Sequence, residues 1–135
     1  MNPASKDLRK HMNDNPSLIP SETLTIGTNL HIALMPDTPD LCVCLYDQGG
    51  QAPAAHLRYD KPNVQVIVRG KQNKYSETYA LVEDIKELLM TVHNVEINST
   101  QYIGVWALSD IIPLGFDEKK RPLFSINFIV HRTIT

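Results

Sequence analysis

Residues 75–108, YSETYALVEDIKELLMTVHNVEINSTQYIGVWAL, carry the change of rhythm that decides the fold. In the first half, Thr78, Leu81, Val82, Ile85, Leu88, Leu89 and Val92 recur at three- and four-residue steps and form one apolar stripe. Glu83, Asp84, Lys86 and Glu87 make much of the opposite, wet face, so the spacing predicts an amphipathic helix over 75–92. At 1.5 Å of rise per residue such a helix runs roughly 25 Å. His93 and Asn94 end it, asparagine tolerating the left-handed backbone that helix ends often need. The period then becomes two. Residues 95–97 and 101–108 flank Asn98-Ser99-Thr100, which reads as a hairpin turn. Tyr102, Gly104, Trp106 and Leu108 share one face of the second strand, and Ile103, Val105 and Ala107 share the other.

Towards the C-terminus, residues 109–115 extend that strand past a bend at Pro113, and residues 117–121 form a turn. A last strand is expected over 122–133, with Phe124, Ile126, Phe128 and Val130 inward and Ser125, Asn127, Ile129 and His131 outward. Towards the N-terminus, residues 63–69 alternate cleanly, with Val64, Val66 and Val68 on one face. Residues 41–46 are apolar on both faces and read as an inner strand. Between them, residues 47–62 contain Gly49-Gly50, Pro53 and three alanines and read as a long loop, a length that usually signals function or disorder. Residues 30–35 are a further candidate strand, and residues 4–13 a short helix with Ser5 as its cap. The expectation is one α+β domain over 1–135: a mainly antiparallel sheet with a C-terminal three-strand meander, one long helix packed on it and a short N-terminal helix.

The 135 residues carry 13 Lys or Arg and 15 Asp or Glu, a net charge of -2. A protein that lives on phosphate backbones carries a clear basic excess, so nucleic-acid binding is not the expected main task. Residues 1–17 lack the apolar core of a signal peptide, and no stretch approaches a membrane span, so no membrane partner is expected and the compartment is a reducing cytoplasm. The two cysteines, Cys42 and Cys44, share one face of a strand without a second pair to complete a zinc site, and read as small buried hydrophobes.

Reactive machinery does not assemble along the chain. There is no glycine-rich phosphate loop, no His-Glu-x-x-His and no nucleophile elbow. Gly49-Gly50 is followed by Gln, Ala and Pro rather than by a helix start, and reads as a flexible turn. Asp37, Asp40, Asp47, Asp60, Asp110 and Asp117 keep the company of turn-forming aspartates. His31, His56, His93 and His131 stand beside no Ser or Cys nucleophile in a recognisable pattern. No catalytic, cofactor-binding or metal-binding residue is assigned. Tyr102 and Trp106 are read as core under the long helix rather than as a stacking platform for a single strand. The opposite face, with Ile103, Val105 and Ile129, is then too apolar for a solitary monomer and points to a partner.

Taken in order, several stretches resemble the minor capsid or tail terminator (tail completion) proteins of tailed bacteriophages. They are Met-Pro-Asp-Thr-Pro-Asp at 35–40, Leu-Tyr-Asp-Gln-Gly-Gly at 45–50, Pro-Asn-Val-Gln-Val-Ile-Val-Arg-Gly at 62–70 and the helix with Tyr79 and Ile85. Ile-Gly-Val-Trp at 103–106 and Leu-Gly-Phe-Asp at 114–117, leading into Phe-Ser-Ile-Asn-Phe at 124–128, complete the set. The resemblance spans residues 30–132 and implies a structural virion protein without catalytic residues. It would cap the head-proximal end of the tail tube as a homo-hexameric ring, stop tube growth and offer the head a docking surface. Its partners would be further copies of itself, the tail tube protein and a head-completion or neck protein, with DNA only passing through. The alternatives are a head-completion adaptor contacting the portal and a sheet-based nucleic-acid binder. Rings of identical subunits join two different patches of one chain. The candidates are the 47–62 segment, with Gln48, Gly49, Gly50, His56 and Arg58, together with Arg69, and the outer face at Ile103, Val105, Ile129 and His131.

Overall fold

The computed structural model describes residues 1–54 and 56–133. Helix α1 spans Ala4–Asp14 and α2 Tyr75–Met90. The strands are β1 (Leu30–Ile32), β2 (Cys42–Ala54), β3 (Tyr59–Arg69), β4 (His93–Ile97), β5 (Thr100–Ala107), β6 (Ile112–Phe116) and β7 (Pro122–Thr133). Six lie in the order β1-β2-β3-β7-β5-β4, and β6 pairs with β7 beside that path. Among the named strands of the described residues, β1 and β2 pair in parallel and the other pairs are antiparallel.

The expected α+β class, with one long helix packed on a meandering antiparallel sheet, is corrected. Strand makes up 44% and helix 23% of the structure, and the sheet curls into a half-barrel. Inside the curl sit Leu8 and Met12 of α1 with Leu81, Val82, Ile85, Leu88 and Leu89 of α2. They meet Val43 and Leu45 of β2, Val64, Val66 and Val68 of β3, and Phe124, Ile126, Phe128 and Val130 of β7. The two helices thus share one concave core, and the sheet dominates.

Nor is there a three-strand meander. β7 lies at the centre, with β3 along one side and β5 and then β6 end to end along the other. The bend after Ala107 breaks what would be one long neighbour of β7 into two short ones, and β5 turns back to β4. Asn98 and Ser99 close the β4–β5 hairpin at φ 49° and 65°, the left-handed pair that a two-residue turn between twisted strands demands.

The 47–62 segment is not a loop. β2 and β3 continue as a hairpin arm, pairing Asp47 with Val64, Gln48 with Asn63, Gln51 with Lys61 and Ala54 with Tyr59. Two register shifts, either side of Gln51, absorb the residues that read as loop punctuation. Gly50 stands at φ 75°, and a Cβ there would lie 2.4 Å from the Lys61 carbonyl oxygen, so only glycine fits the irregularity.

A register shift also separates Tyr102 from Gly104 in β5. One extra residue turns the rest of the strand over. Tyr102 and Val105 both point inward and are buried, whereas Trp106 lies outside, 45% exposed. The expectation of Trp106 in the core is corrected for that reason, and Val105 leaves the outer surface.

Helix α1 is capped from a distance. Ser5 is not its cap; Pro3 occupies that position and makes no side-chain bond. Instead the Asp47 carboxylate accepts the Ser5 backbone N–H at 3.0 Å and its hydroxyl at 2.6 Å. A carboxylate beside the first turn satisfies free donors and suits the helix dipole. The root of the arm thereby fixes α1 on the sheet.

Candidate functional site

Three surfaces concentrate what the fold leaves unpaired. The first is the arm. Gln48, Gly49 and Gly50 lie exposed on β2, and His56 and Arg58 are exposed at the tip, with Leu57 between them 76% exposed. β1 covers only Val43, Cys44 and Leu45, so from residue 48 to 54 β2 has no neighbouring strand on its outer side among the described residues.

The second is the outer face of β3, β5 and β7. His131 and Ile129 are half-buried there, as is Ile103 at the register shift. Tyr59 Oη and His131 Nδ1 share a hydrogen bond of 2.7 Å, and the Trp106 ring stands edge-on to His131 with centroids 4.8 Å apart. Burial, and then Lys61 nearby, push the His131 imidazole below its ordinary value, so near neutral pH it is the uncharged ring. Beside them the side-chain oxygens of Asn63 and Asn127 are buried without a hydrogen-bond partner among the described residues. Such acceptors call for a donor from water or from a neighbour. Tyr102, weighed with Trp106 as a stacking pair, is on the opposite face; its hydroxyl is donated to Asp7, and burial raises its pKa strongly.

The third is a margin of the sheet that sequence reasoning missed. Ile112, Leu114 and Phe116 of β6 are all exposed. The ring of Tyr75, at the start of α2, lies 6.0 Å from that of Phe116. An unbroken run of apolar residues from 111 to 116 was the available signal, concealed by its reading as the tail of the preceding strand.

Arg69 belongs to none of these surfaces. It is buried, its Nε donating to the Asp40 carbonyl at 2.9 Å and its Nη2 to those of Pro36 and Pro39 at 2.7 and 2.8 Å. It holds the 36–40 segment over the end of β2, where Cys42 and Cys44 are buried and burial raises both thiol pKa values. Arg121 completes this clasp with Nε on Asp117 at 2.7 Å, Nη2 on Asp37 at 3.0 Å and Nη1 on Asp40 at 3.3 Å. Bonds donated by Lys119 and Arg121 hold the Asp37 carboxyl below its usual range. For Asp117 partial burial pushes upward, but the Arg121 backbone N–H and guanidinium outweigh it. A depressed folded-state pKa stabilises above the ordinary value of 3.8, and that contribution is lost as pH falls through the lower folded value. Melting curves taken from about pH 6 down to about pH 2.5 are therefore expected to show a shallower acid loss in Arg121→Met than in the native chain. Identical acid limbs would show that the clasp contributes nothing.

Among the described residues no three His, Cys, Asp or Glu side chains are grouped to hold a metal. One surface depression, of about 290 Å³, is lined by Tyr75, Ser76 and Tyr79, and another, of about 160 Å³, mixes Glu22, Lys71, Lys74 and Glu77 with Leu41 and Thr78. No helix of the structure is long and apolar enough to cross a membrane.

Exposed strand margins and an arm are surfaces suited to contact with other chains. The chain belongs to the bacteriophage tail terminator protein family, which it matches over residues 12–134, and so to the structural proteins of phage particles. Its fold is similar to that of a chain in a solved structure described as the virion of a native gene transfer agent (GTA) particle. That likeness has a TM-score of 0.71 at 11% identity, covers 96% of this chain and 94% of the other, and concerns the fold alone. No curated protein matches the chain by sequence.

Proposed function

We propose that this chain, acting as one domain over 1–135, caps the head-proximal end of a phage tail tube as a ring of six copies. The ring ends tube growth and gives the filled head its docking surface. The observation that carries this reading is the family match over residues 12–134. The unlike exposed surfaces support it, because a closed ring of identical subunits needs two different patches on each chain. A cap must also match the tube on one side and mismatch on the other. The partners are then neighbouring copies, the tail tube protein and a head-completion or neck protein; DNA passes through the ring without being read. The place of action is the neck of the virion, reached by assembly in the host cytoplasm. No chemistry and no cofactor enter this role.

The arm residues Gln48, Gly49, Gly50, His56 and Arg58 and the outer-face residues Ile103, Ile129 and His131 remain the proposed contact sites. The unpaired oxygens of Asn63 and Asn127 favour the outer face as one of them. Electron microscopy of tails assembled without the protein is the test. Tubes of uncontrolled length that fail to join heads are expected, with normal length restored by adding the protein back. Tails of normal length that join heads normally in its absence would overturn the proposal.

A further inference from the structure

Much of the apolar margin of the sheet is left uncovered by the described residues. Trp106 and Leu108 at the end of β5, then Ile112, Leu114 and Phe116 of β6, follow one flank of β7 and are each at least 40% exposed. No charged residue occurs from 111 to 116. Proteins that stay solitary guard strand edges with charges, and an exposed apolar patch of this kind marks a contact.

We infer, resting on the ring reading above, that this margin receives the β2–β3 arm of a second copy. The free edge of β2 and strand β6 lie on opposite sides of the β3–β7 pair, so each chain presents two unlike margins, as a head-to-tail contact requires. Residues 48–54 are Gln, Gly, Gly, Gln, Ala, Pro and Ala: uncharged, mostly small, and accessible along the unpaired side of β2. Small side chains on one margin leave room for Leu114, Phe116 and Trp106 on the other, and neither side buries a charge. At the tip, Leu57 is the apolar side chain that suits the depression beside Tyr75 and Tyr79. Pro53 and Pro113, with register shifts in both strands, interrupt any long ladder between the margins, so the contact is made mainly by side chains.

The test uses full chains on purified tail tubes. Leu114→Cys and Gln51→Cys chains are mixed and oxidised gently; the native cysteines are buried and stay silent. A disulfide-linked pair is expected in the mixture and not in either variant alone. Linkage within one variant, or none in the mixture, overturns the inference. Alongside, Phe116→Glu is expected to keep the native melting temperature while losing tube capping by about tenfold or more, with Phe116→Tyr retaining it. Rings formed equally well by the native chain and by Phe116→Glu would remove this contact and leave the ring reading intact. If the native chain itself forms no ring on tubes, the ring reading falls, and this inference with it.

Discussion

Asp7→Ala is expected to destabilise the protein by about 2–4 kcal/mol, which lowers its melting temperature by roughly 10 °C. Asp7 is fully buried although it lies on a short helix with seven other polar or charged residues and only three apolar ones. Its carboxylate accepts the Tyr102 hydroxyl at 2.5 Å, the Asn98 side-chain amide at 2.8 Å and that of Asn2 at 3.3 Å. Arg132 closes the network, donating to Tyr102 Oη at 3.2 Å, to the Asn2 carbonyl at 2.9 Å and to Asp60 at 3.0 Å. Four elements therefore meet on one set of charge-assisted bonds: α1, β3, β5 and β7. Alanine would strand the Tyr102 hydroxyl without its acceptor, and a buried donor left unmade costs more than the net value of its bond. Asp7→Asn keeps an acceptor and should fall between. Lys10→Ala, which removes only the exposed pair with Asp14, should change stability by less than about 1 kcal/mol. Thermal melting of the three variants decides; an Asp7→Ala protein melting within about 2 °C of the native chain would refute the account.

Gly50→Val is expected to abolish tube capping while the core still folds. The backbone at Gly50 has φ 75°, and an added Cβ would meet the Lys61 carbonyl oxygen at 2.4 Å, the Asn63 nitrogen at 2.8 Å and the Pro62 Cα at 2.9 Å. All three are backbone atoms of the paired strand and cannot swing aside, and a β-branched residue is strained at positive φ in any case. The conflict costs of order 1–3 kcal/mol, and the arm can relieve it by giving up its pairing beyond Gln48. Gly49 is the matched control: a Cβ there meets nothing within 4 Å. Gly49→Val should therefore leave the arm paired, with native hydrogen exchange over residues 47–61, and so isolates the backbone conflict at Gly50. Hydrogen exchange is expected to speed up over residues 47–61 in Gly50→Val, with the inner residues of β3 and β7 still protected. Native capping by Gly50→Val, with its arm found unpaired by hydrogen exchange, would refute the arm's role.

Periodic burial was the legible part of this chain. The valines at 64, 66 and 68 and the apolar residues at 124, 126, 128 and 130 alternate because one face of each strand meets the core, and that is a local signal. The arm was hidden because glycine, proline and alanine are scored as loop formers, whereas here register shifts carry them inside a paired strand. Trp106 was assigned to the wrong face because a single residue inserted near Gly104 inverts the pattern beyond it, and nothing in the alternation announces the slip. Two further facts lie between distant parts of the chain: the capping of α1 by Asp47, 42 residues away, and the adjacency of β3 to β7. No local rule reaches them. Of the proposed contact residues, those on the arm are exposed, Ile103, Ile129 and His131 are half-buried, Val105 and Arg69 are buried, and the exposed apolar margin at β6 was overlooked.

The position of β7 has a consequence for the newborn chain. Strands made early, β2 and β3, and strands made later, β4 and β5, flank a gap that only residues 122–133 can fill. Until the ribosome has delivered that segment, two greasy half-sheets wait with their facing edges open, and neither can complete its ladder from what has already emerged. Folding of this domain is therefore deferred until residues 122–133 have emerged rather than spread along synthesis, and a chain stopped short of them is left a sticky fragment instead of a smaller stable one.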